Sequence, residues 1–174
     1  MYQGASNPSI TIESFGGAMF MLKTEQYYPL NREKAFSFFE DPRNLFSITP
    51  GWLDFRLLST PDTLIVTEGA EFDYYIRWLG IKMLWRSRIV DYRPPDEFTD
   101  IQIQGPYRSW RHIHRFEPAQ GGTLMTDEVC YRLPFSAVGH LLHTLLIRRQ
   151  LMDIFHYRTA KILEWVNTEA NKRN

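Results

Sequence analysis

The sequence predicts an α+β domain in which a curved, seven-stranded antiparallel sheet wraps around one long C-terminal helix. From residue 52 to residue 133, apolar and polar residues alternate with a period of two in segments separated by turns rich in Pro and Gly. This pattern is typical of strands that bury one face. After Pro134 the apolar residues recur at helical spacing instead. With 174 residues, 44% of them apolar, the chain is expected to form one sizeable core.

The N-terminal part of the chain is predicted to contain a lead-in, one strand and two short helices. Gly, Ser and Pro are frequent in residues 1–17, so we expect a flexible segment there and a single domain over residues 18–174. Alternation over Met19–Tyr28 predicts the first strand. Helices are expected over Leu30–Glu40 and Asp41–Ile48, because each begins beside a side chain that can cap it. Two short helices therefore follow strand 1 directly.

Six further strands are predicted from the alternation and from the turns between its segments. They are Trp52–Leu58, Glu71–Trp78, Ile81–Tyr92, Phe98–Gln104, Tyr107–Phe116 and Leu124–Leu133. Because short turns pair consecutive strands antiparallel, the buried side of one strand fixes that of the next. This rule selects one buried face, made of Phe72, Tyr74, Ile76, Trp78, Trp85, Ser87, Ile89, Ile101 and Ile103.

The long helix is expected to cover this face. The segment Gly139–Thr168 holds neither Pro nor internal Gly, and it carries Leu145, Met152 and Phe155 at helical spacing. About thirty residues of α-helix extend roughly 45 Å, which is enough to cross the concave side of a curved sheet. Sheet and helix are then predicted to enclose an interior that the two short helices close at one end.

Two imidazoles and one carboxylate are predicted to share the buried face of the last hairpin. His112 and His114 lie on the same side of the strand that ends at Phe116, and Asp127 follows the turn at Gly121-Gly122. Pairing that brings the apolar faces together sets Asp127 opposite His112 or His114. Since buried polar groups are costly unless paired, we expect a ligand site or a structural hydrogen-bond network here.

Several roles are open for His112, His114 and Asp127. They can satisfy one another inside the sheet, they can orient the polar end of a ligand, or one histidine can act as a general base. Two His at i and i+2 with an Asp across the sheet could also form a three-ligand metal site, but alternation alone produces the same pattern. We therefore predict no metal, no cofactor and no firm catalytic residue.

Charge and cysteine content argue against several classes of protein and of binding site. Twenty Lys and Arg balance twenty Asp and Glu, which argues against a nucleic-acid-binding protein that relies on phosphate neutralisation. Cys130 is the single cysteine, so neither an internal disulfide nor a Cys-rich zinc site is expected. No apolar run reaches the roughly 20 residues that span a bilayer, and the N-terminus lacks a signal-peptide pattern. We expect a cytoplasmic protein without stable membrane insertion.

Residues outside the histidine cluster are candidates for secondary roles. Arg149 and Arg158 lie near the border of the helix's apolar stripe, where each could reach inward to an acidic group or extend into solvent. Four apolar residues near turns could form a lid over a cavity mouth, a patch through which a homodimer assembles, or ordinary packing. These are Phe46, Trp52, Phe135 and Val138.

Several short motifs resemble those of one superfamily. They are Asp41-Pro42-Arg43-Asn44-Leu45, Ile48-Thr49-Pro50, Gly105-Pro106-Tyr107, Trp110-Arg111-His112, Leu133-Pro134-Phe135 and Arg148-Arg149-Gln150-Leu151 with Ile154-Phe155-His156-Tyr157-Arg158. With the order of elements, they resemble bacterial stand-alone SRPBCC proteins, relatives of the START, Bet v 1-like and polyketide cyclase/dehydrase proteins. The resemblance covers residues 19–166. It implies the helix-grip fold and a deep hydrophobic cavity, and it assigns no catalytic residue.

The sequence therefore predicts that a START-like domain binds a small hydrophobic ligand, such as a lipid or a polyketide, between the sheet and the C-terminal helix. One alternative is a polyketide cyclase, aromatase or dehydratase that uses His112 or His114 as its base. Another is a regulatory or assembly domain whose cavity is filled by its own side chains. The expected ligand-binding wall consists of Phe72, Tyr74, Ile76, Trp85, Ile101, Trp110, His112, His114, Asp127, Val129, Leu145, Met152 and Phe155.

Overall fold

The fold is an antiparallel sheet covered by a C-terminal helical segment, and the computed structural model describes residues 8–16, 18–58, 66–134 and 136–171. The strands within these ranges are β1 (Ser9–Ser14), β2 (Met19–Tyr28), β3 (Arg56–Leu57), β4 (Glu71–Trp78), β5 (Ile81–Arg93), β6 (Glu97–Gln104), β7 (Ser109–Ala119) and β8 (Gly122–Arg132). They form one curved sheet in the order β1-β2-β8-β7-β6-β5-β4-β3. This is the predicted α+β architecture.

The helices lie within or close to the predicted segments, but α2 begins three residues later than expected and Asp41 does not cap it. They are α1 (Arg32–Phe39), α2 (Asn44–Ser47), α3 (Ser136–Leu142) and α4 (Arg148–Asn171), with a 3₁₀ turn at Gly51–Leu53 and a π-helical turn at His143–Ile147. Asn31 caps α1 as expected, since its side chain accepts a hydrogen bond of 3.0 Å from the backbone N–H of Lys34. None of the helices in the described residues is both long and apolar enough to cross a membrane.

The N-terminal prediction needs a correction, because Ser9–Ser14 forms the edge strand β1 instead of a flexible lead-in. It pairs antiparallel with β2, and Ile10 and Ile12 pack against the buried core. The segment is short, and Ser and Thr flank its two apolar residues, so composition alone pointed to disorder. The sheet therefore has eight strands in the described residues, and residues 1–7 and 17 lie outside them.

The predicted strand Trp52–Leu58 is also shorter than expected. Its first part is the 3₁₀ turn, and only Arg56 and Leu57 pair with β4. Asp54 ends the turn with a left-handed backbone (φ 45°), which redirects the chain before it can join the sheet.

On β6 the prediction chose the wrong face. Ile101 and Ile103 were expected to point inward, but the face that points inward carries Phe98, Asp100 and Gln102. Gln102 is satisfied there, because its side chain bonds both the carbonyl (2.7 Å) and the N–H (3.2 Å) of Tyr107 in the following turn. A polar inner face reverses the hydrophobic alternation on which the prediction depended.

The long helix is interrupted, and one predicted site residue lies within the interruption. The π-helical turn inserts an extra residue, which rotates the following side chains by about 100°. Leu145 is 63% exposed, as is Leu141 one turn earlier (62%), whereas Ile147 and Leu151 are buried. The prediction of one regular helix placed Leu145 in the interior, and that is wrong.

Two apolar clusters form the core, one toward each end of the sheet's concave side. The first packs Phe36 of α1 and Ile162 of α4 against Phe116 of β7. The second packs Ile147 and Phe155 against residues of β2 and β8, namely Phe20, Leu22, Val129 and Tyr131. The cavity described next is lined by members of both clusters.

Candidate functional site

An interior cavity of about 190 Å³ lies between the sheet and α4. This is many times the roughly 10–15 Å³ that a single water requires, so the described side chains leave room for a small organic molecule. Among the residues predicted to form its wall, the following line the cavity: Phe72, Tyr74, Ile76, Trp85, Trp110, His112, His114 and Phe155.

Five residues of the predicted wall do not line the cavity. Ile101 and Leu145 fail for the reasons given above. Val129 is fully buried within the second core cluster. Met152 lies off the face through which α4 meets the cavity, which carries Leu151, Ile154, Phe155 and Arg158. Asp127 is buried behind the two histidines.

A layer of polar side chains crosses four neighbouring strands at the cavity wall. His114 of β7 is directly opposite Asp127 of β8, which is one of the two predicted pairings, and Thr24 of β2 is opposite Asp127 on its other side. His112 is directly opposite Asp100 of β6. The period-two geometry of the sheet therefore brings two imidazoles and two carboxylates onto one face.

The imidazoles are held between the two carboxylates. On one side, His112 Nε2 and Asp127 Oδ1 are 2.9 Å apart and form a hydrogen bond. His114 Nδ1 also lies 2.8 Å from this oxygen but lacks hydrogen-bond geometry, so it is a buried nitrogen without a hydrogen-bond partner. On the other side, Asp100 Oδ2 lies 3.3 Å from His114 Nε2 and 3.7 Å from His112 Nδ1.

Neighbouring rings fix the imidazoles in place. The ring centroids of His112 and His114 are 3.8 Å apart, and Phe98 stacks on His114 at 4.2 Å. Phe155 of α4 meets His112 edge-on at 5.9 Å. Thr24 donates a hydrogen bond of 3.4 Å to Asp127 Oδ2. The orientation of the cluster is thus set by packing as well as by hydrogen bonds.

Burial and charge move the pKa values of the cluster in different directions. Burial, and then the charge of His114, lower the pKa of His112. Burial also lowers the pKa of His114, but its contacts with Asp100 and Asp127 outweigh burial and leave this pKa raised. Burial raises the pKa of Asp127, yet both histidines more than reverse this and hold the pKa well below its usual range. Asp127 is therefore a buried carboxylate in its ionised form.

Asp100 is the member of the cluster that sequence reasoning missed. It lies on β6, where apolar and polar residues alternate and the prediction took the apolar side as the buried one. Asp100 is on the polar side, which is the side that faces the cavity. The available signal was its position opposite His112 once the Gly105–Arg108 turn is closed correctly. Unlike Asp127, Asp100 lines the cavity.

Two polar side chains of α4 line the cavity, and each has one buried atom without a hydrogen-bond partner among the described residues. Nε of Arg158 and Oε1 of Gln150 are buried, and neither atom has a hydrogen-bond partner. No ion pair joins Arg158 to a described residue; its guanidinium carbon lies 5.0 Å from the ring centre of Phe155. Buried polar groups of native proteins are normally satisfied, so unsatisfied ones that face a cavity indicate polar groups on a ligand.

Two of the four predicted lid residues have side chains in the described part of the chain. Phe46 and Trp52 are 68% and 48% exposed, next to the lining residues Leu45 and Leu53. Phe135 and the side chain of Val138 lie outside the described part of the chain. A role for these residues in ligand entry or in a homodimer stays a prediction.

The comparisons with known proteins agree on the fold. Protein Ms6760 from Mycobacterium smegmatis superposes with a TM-score of 0.64 at 12% identity, covering 92% of this chain and 99% of that one. TTHA0849 from Thermus thermophilus has a TM-score of 0.62 at 14% identity, with coverages of 86% and 98%. The di-domain ARO/CYC StfQ of the steffimycin biosynthetic pathway has a TM-score of 0.66 at 18% identity, over 90% of this chain and 52% of StfQ.

A search of curated proteins gives no match. A family model does match, that of polyketide cyclase/dehydrase and lipid transport proteins, and it spans residues 29–154, more than half of the chain. The predicted superfamily and the observed helix-grip architecture agree with this match. The chain belongs to the polyketide cyclase/dehydrase and lipid transport family.

Proposed function

We propose that the protein binds a small, mostly hydrophobic molecule that carries one acidic or strongly polar group. The observation that carries this proposal is the unpaired Arg158 in a cavity whose wall is otherwise largely aromatic and aliphatic. Burial of apolar surface, at about 25 cal/mol per Å² before ordering costs, would supply most of the affinity. Lipids and polyketides with a carboxylate or enolate group have this chemistry, and the family description supports both classes.

The polar end of the ligand is expected near the level of Arg158 and His112. The guanidinium of Arg158 lies over Phe155, and the same phenyl ring meets His112 edge-on. A carboxylate on the ligand would pair with Arg158, while hydroxyl or carbonyl groups would bond the imidazoles or Gln150. The indoles of Trp85 and Trp110, which meet at 5.3 Å, would contact the apolar part.

Binding can be measured with two probes that differ only in their head group. Decanoate and decanol would be titrated while the fluorescence of the cavity tryptophans is followed, after native mass spectrometry of the protein as purified. Arg158→Gln should weaken decanoate binding by about tenfold or more, since a charge-assisted hydrogen bond contributes roughly 1.5–3 kcal/mol, and should leave decanol binding nearly unchanged. Arg149→Gln, at an exposed position of the same helix, is the matched control.

A second pair of variants tests the location. Ile154→Trp adds bulk to a residue that lines the cavity and should reduce the affinity for both probes, whereas Ile81→Trp adds the same bulk at an exposed position and should not. Absence of any co-purifying small molecule together with no response to either probe would contradict the proposal. Equal losses in the Ile154 and Ile81 variants would contradict the location.

A second candidate function is catalysis of cyclisation, aromatisation or dehydration of a polyketide-like substrate. It is favoured by the placement of His112 and His114 on the cavity wall, each in contact with a carboxylate that can fix its tautomer, and by the fold shared with StfQ. One imidazole would take a proton from carbon between two carbonyl groups. Incubation with a short poly-β-ketone thioester tests this. Turnover that is lost in His112→Gln while probe binding persists would support catalysis, and no turnover by the parent protein would oppose it.

A further inference from the structure

The cavity wall contains three donor atoms that converge on one point. Asp100 Oδ2 lies 3.3 Å from His114 Nε2 and 3.7 Å from His112 Nδ1, and all three ligand atoms lie within 4.8 Å of one another. An ion bound at about 2.0–2.2 Å from each ligand holds neighbouring ligand atoms roughly 3.0–3.5 Å apart. The two separations from Asp100 Oδ2 therefore need to close by no more than a few tenths of an ångström, and the two histidine nitrogens lie within 4.8 Å of each other. We propose that Asp100, His112 and His114 bind a divalent first-row transition metal ion.

Asp127, the fourth member of the cluster, lies in the position of an outer-sphere partner, which contacts the metal ligands and not the ion itself. Asp127 Oδ1 lies 2.9 Å from His112 Nε2 and 2.8 Å from His114 Nδ1, which are the nitrogens opposite those that face Asp100. Metal-bound histidines usually donate their second N–H to a carboxylate, which fixes the tautomer and the ring orientation. Asp127 does this for His112, and Thr24 in turn donates to Asp127. Nδ1 of His114 lies beside the same oxygen without hydrogen-bond geometry, so its ring would have to rotate to complete the second bond.

Charge balance supports a divalent cation. Asp100 and Asp127 bring two carboxylates to the cavity side of the sheet, and imidazoles that bind a metal ion do so in the neutral form. Arg158 lines the same cavity but forms no ion pair with Asp100. An ion of charge +2 between neutral imidazoles and two carboxylates gives a cluster without net charge, which is the favourable state for a buried site.

The donor set selects the kind of ion. Two imidazole nitrogens and one carboxylate oxygen suit Zn²⁺, Fe²⁺, Co²⁺ or Ni²⁺, whereas Ca²⁺ and Mg²⁺ prefer sites made of oxygen alone. Asp100, His112 and His114 all line the cavity, so the remaining coordination positions would face the ligand space. Such an ion could hold an oxygen atom of a bound molecule. The inference stands apart from hydrophobic ligand binding, because the three donors are in place whether or not the cavity takes an apolar molecule.

The test uses tag-free protein that has been stripped with a chelator, and the probes are Zn²⁺ in calorimetry and Co²⁺ in visible absorption. We expect about one equivalent of Zn²⁺ to bind and Co²⁺ to produce ligand-field bands. Asp100→Asn, His112→Gln and His114→Gln should each weaken binding more than about a hundredfold, and Asp127→Asn by about 10–100-fold, as is usual for an outer-sphere carboxylate. His140→Gln, at an exposed histidine, should bind like the parent.

The inference is overturned if the parent binds neither ion, if the ligand variants bind like the parent, or if Asp127→Asn is more damaging than Asp100→Asn. A second measurement needs no variant and covers the case in which these substitutions prevent folding. In long-range ¹H–¹⁵N spectra of the histidine rings, Zn²⁺ should shift Nδ1 of His112 and Nε2 of His114. Shifts at the opposite nitrogens, or confined to His140 and His156, would also overturn it.

Discussion

His143 gives the protein a defined dependence of stability on pH. Its ring is buried beneath the start of the helical segment, stacked on Phe20 with a centroid distance of 3.5 Å, and its Nε2 lies 2.8 Å from the hydroxyl of Tyr131. Burial, followed by the nearby charges of His140 and Arg148, lowers the pKa of His143 to about 4. Burial also raises the pKa of Tyr131, so its hydroxyl keeps its proton and can donate to the imidazole.

The sign and size of the effect follow from proton linkage. Between the ordinary pKa of 6.5 and the folded pKa of about 4, the unfolded chain binds a proton that the folded protein does not. The free energy of unfolding therefore has its full value above the ordinary pKa and falls as pH decreases through this window. From about pH 7 to about pH 5, the two pKa values give a loss of about 1–2 kcal/mol from this residue.

Urea unfolding followed by tryptophan fluorescence at several pH values measures the effect. In His143→Gln the amide can still accept the hydrogen bond from Tyr131 but does not titrate, so the stability difference between parent and variant should shrink or reverse by about 1–2 kcal/mol from about pH 7 to about pH 5. His156→Gln, at an exposed histidine, should leave the pH profile unchanged. A difference between the parent and His143→Gln that stays constant with pH would refute the reasoning.

Three further predictions concern the scaffold. Gly122→Ala should lower stability by about 1–3 kcal/mol, since its Cβ would lie 2.1 Å from the backbone oxygen of Tyr28, whereas Gly51→Ala meets nothing within 4 Å and should be tolerated. Asn31→Ala removes the cap of α1 and should cost about 1 kcal/mol in urea unfolding. Phe72→Ala should lower stability by about 3 kcal/mol or more and, because the residue lines the cavity, should tighten the binding of bulkier apolar probes.

The sequence could predict that Asp127 lies opposite His112 or His114, because both strands alternate cleanly and a short turn joins them, and the structure selects His114. The same alternation rule failed for β6, the neighbour of β7 in the sheet. Asp100 faces the cavity, but Ile101 and Ile103 beside it are apolar, so hydrophobicity pointed to the opposite face. A register rule depends on apolar residues being inside, and it fails where the inner face of a strand is polar.

Leu145 shows a different limit. Its helical spacing pointed inward, but the face of the helical segment that packs against the core carries Ile147, Leu151 and Phe155 instead. No local composition signals the π-helical turn at His143–Ile147 either. His143 at the start of the turn contacts Tyr131 and Ile147 at its end is buried, so both ends of the turn are held by tertiary packing. The fold class, the order of the elements and most of the cavity wall can be predicted from local sequence patterns. Interruptions of a helix or strand that depend on contacts with residues distant in the sequence cannot.

We infer that the polar layer lowers the stability of the sheet and is present because of the candidate site. Removing one member leaves the other buried polar groups without their partners, so Asp127→Leu should destabilise the protein by about 3–5 kcal/mol. Replacing the four ionisable members of the layer by apolar residues of similar size, as Asp100→Leu, His112→Phe, His114→Leu and Asp127→Leu together, should instead be neutral or stabilising, since desolvation of buried charges often exceeds their mutual attraction. The measurement is urea unfolding of both variants at about pH 7. If the fourfold variant is less stable than Asp127→Leu alone, the layer is a structural requirement of the sheet. If it is as stable as the parent, stability does not account for four ionisable groups beside an apolar cavity, and recognition of a bound molecule or ion does.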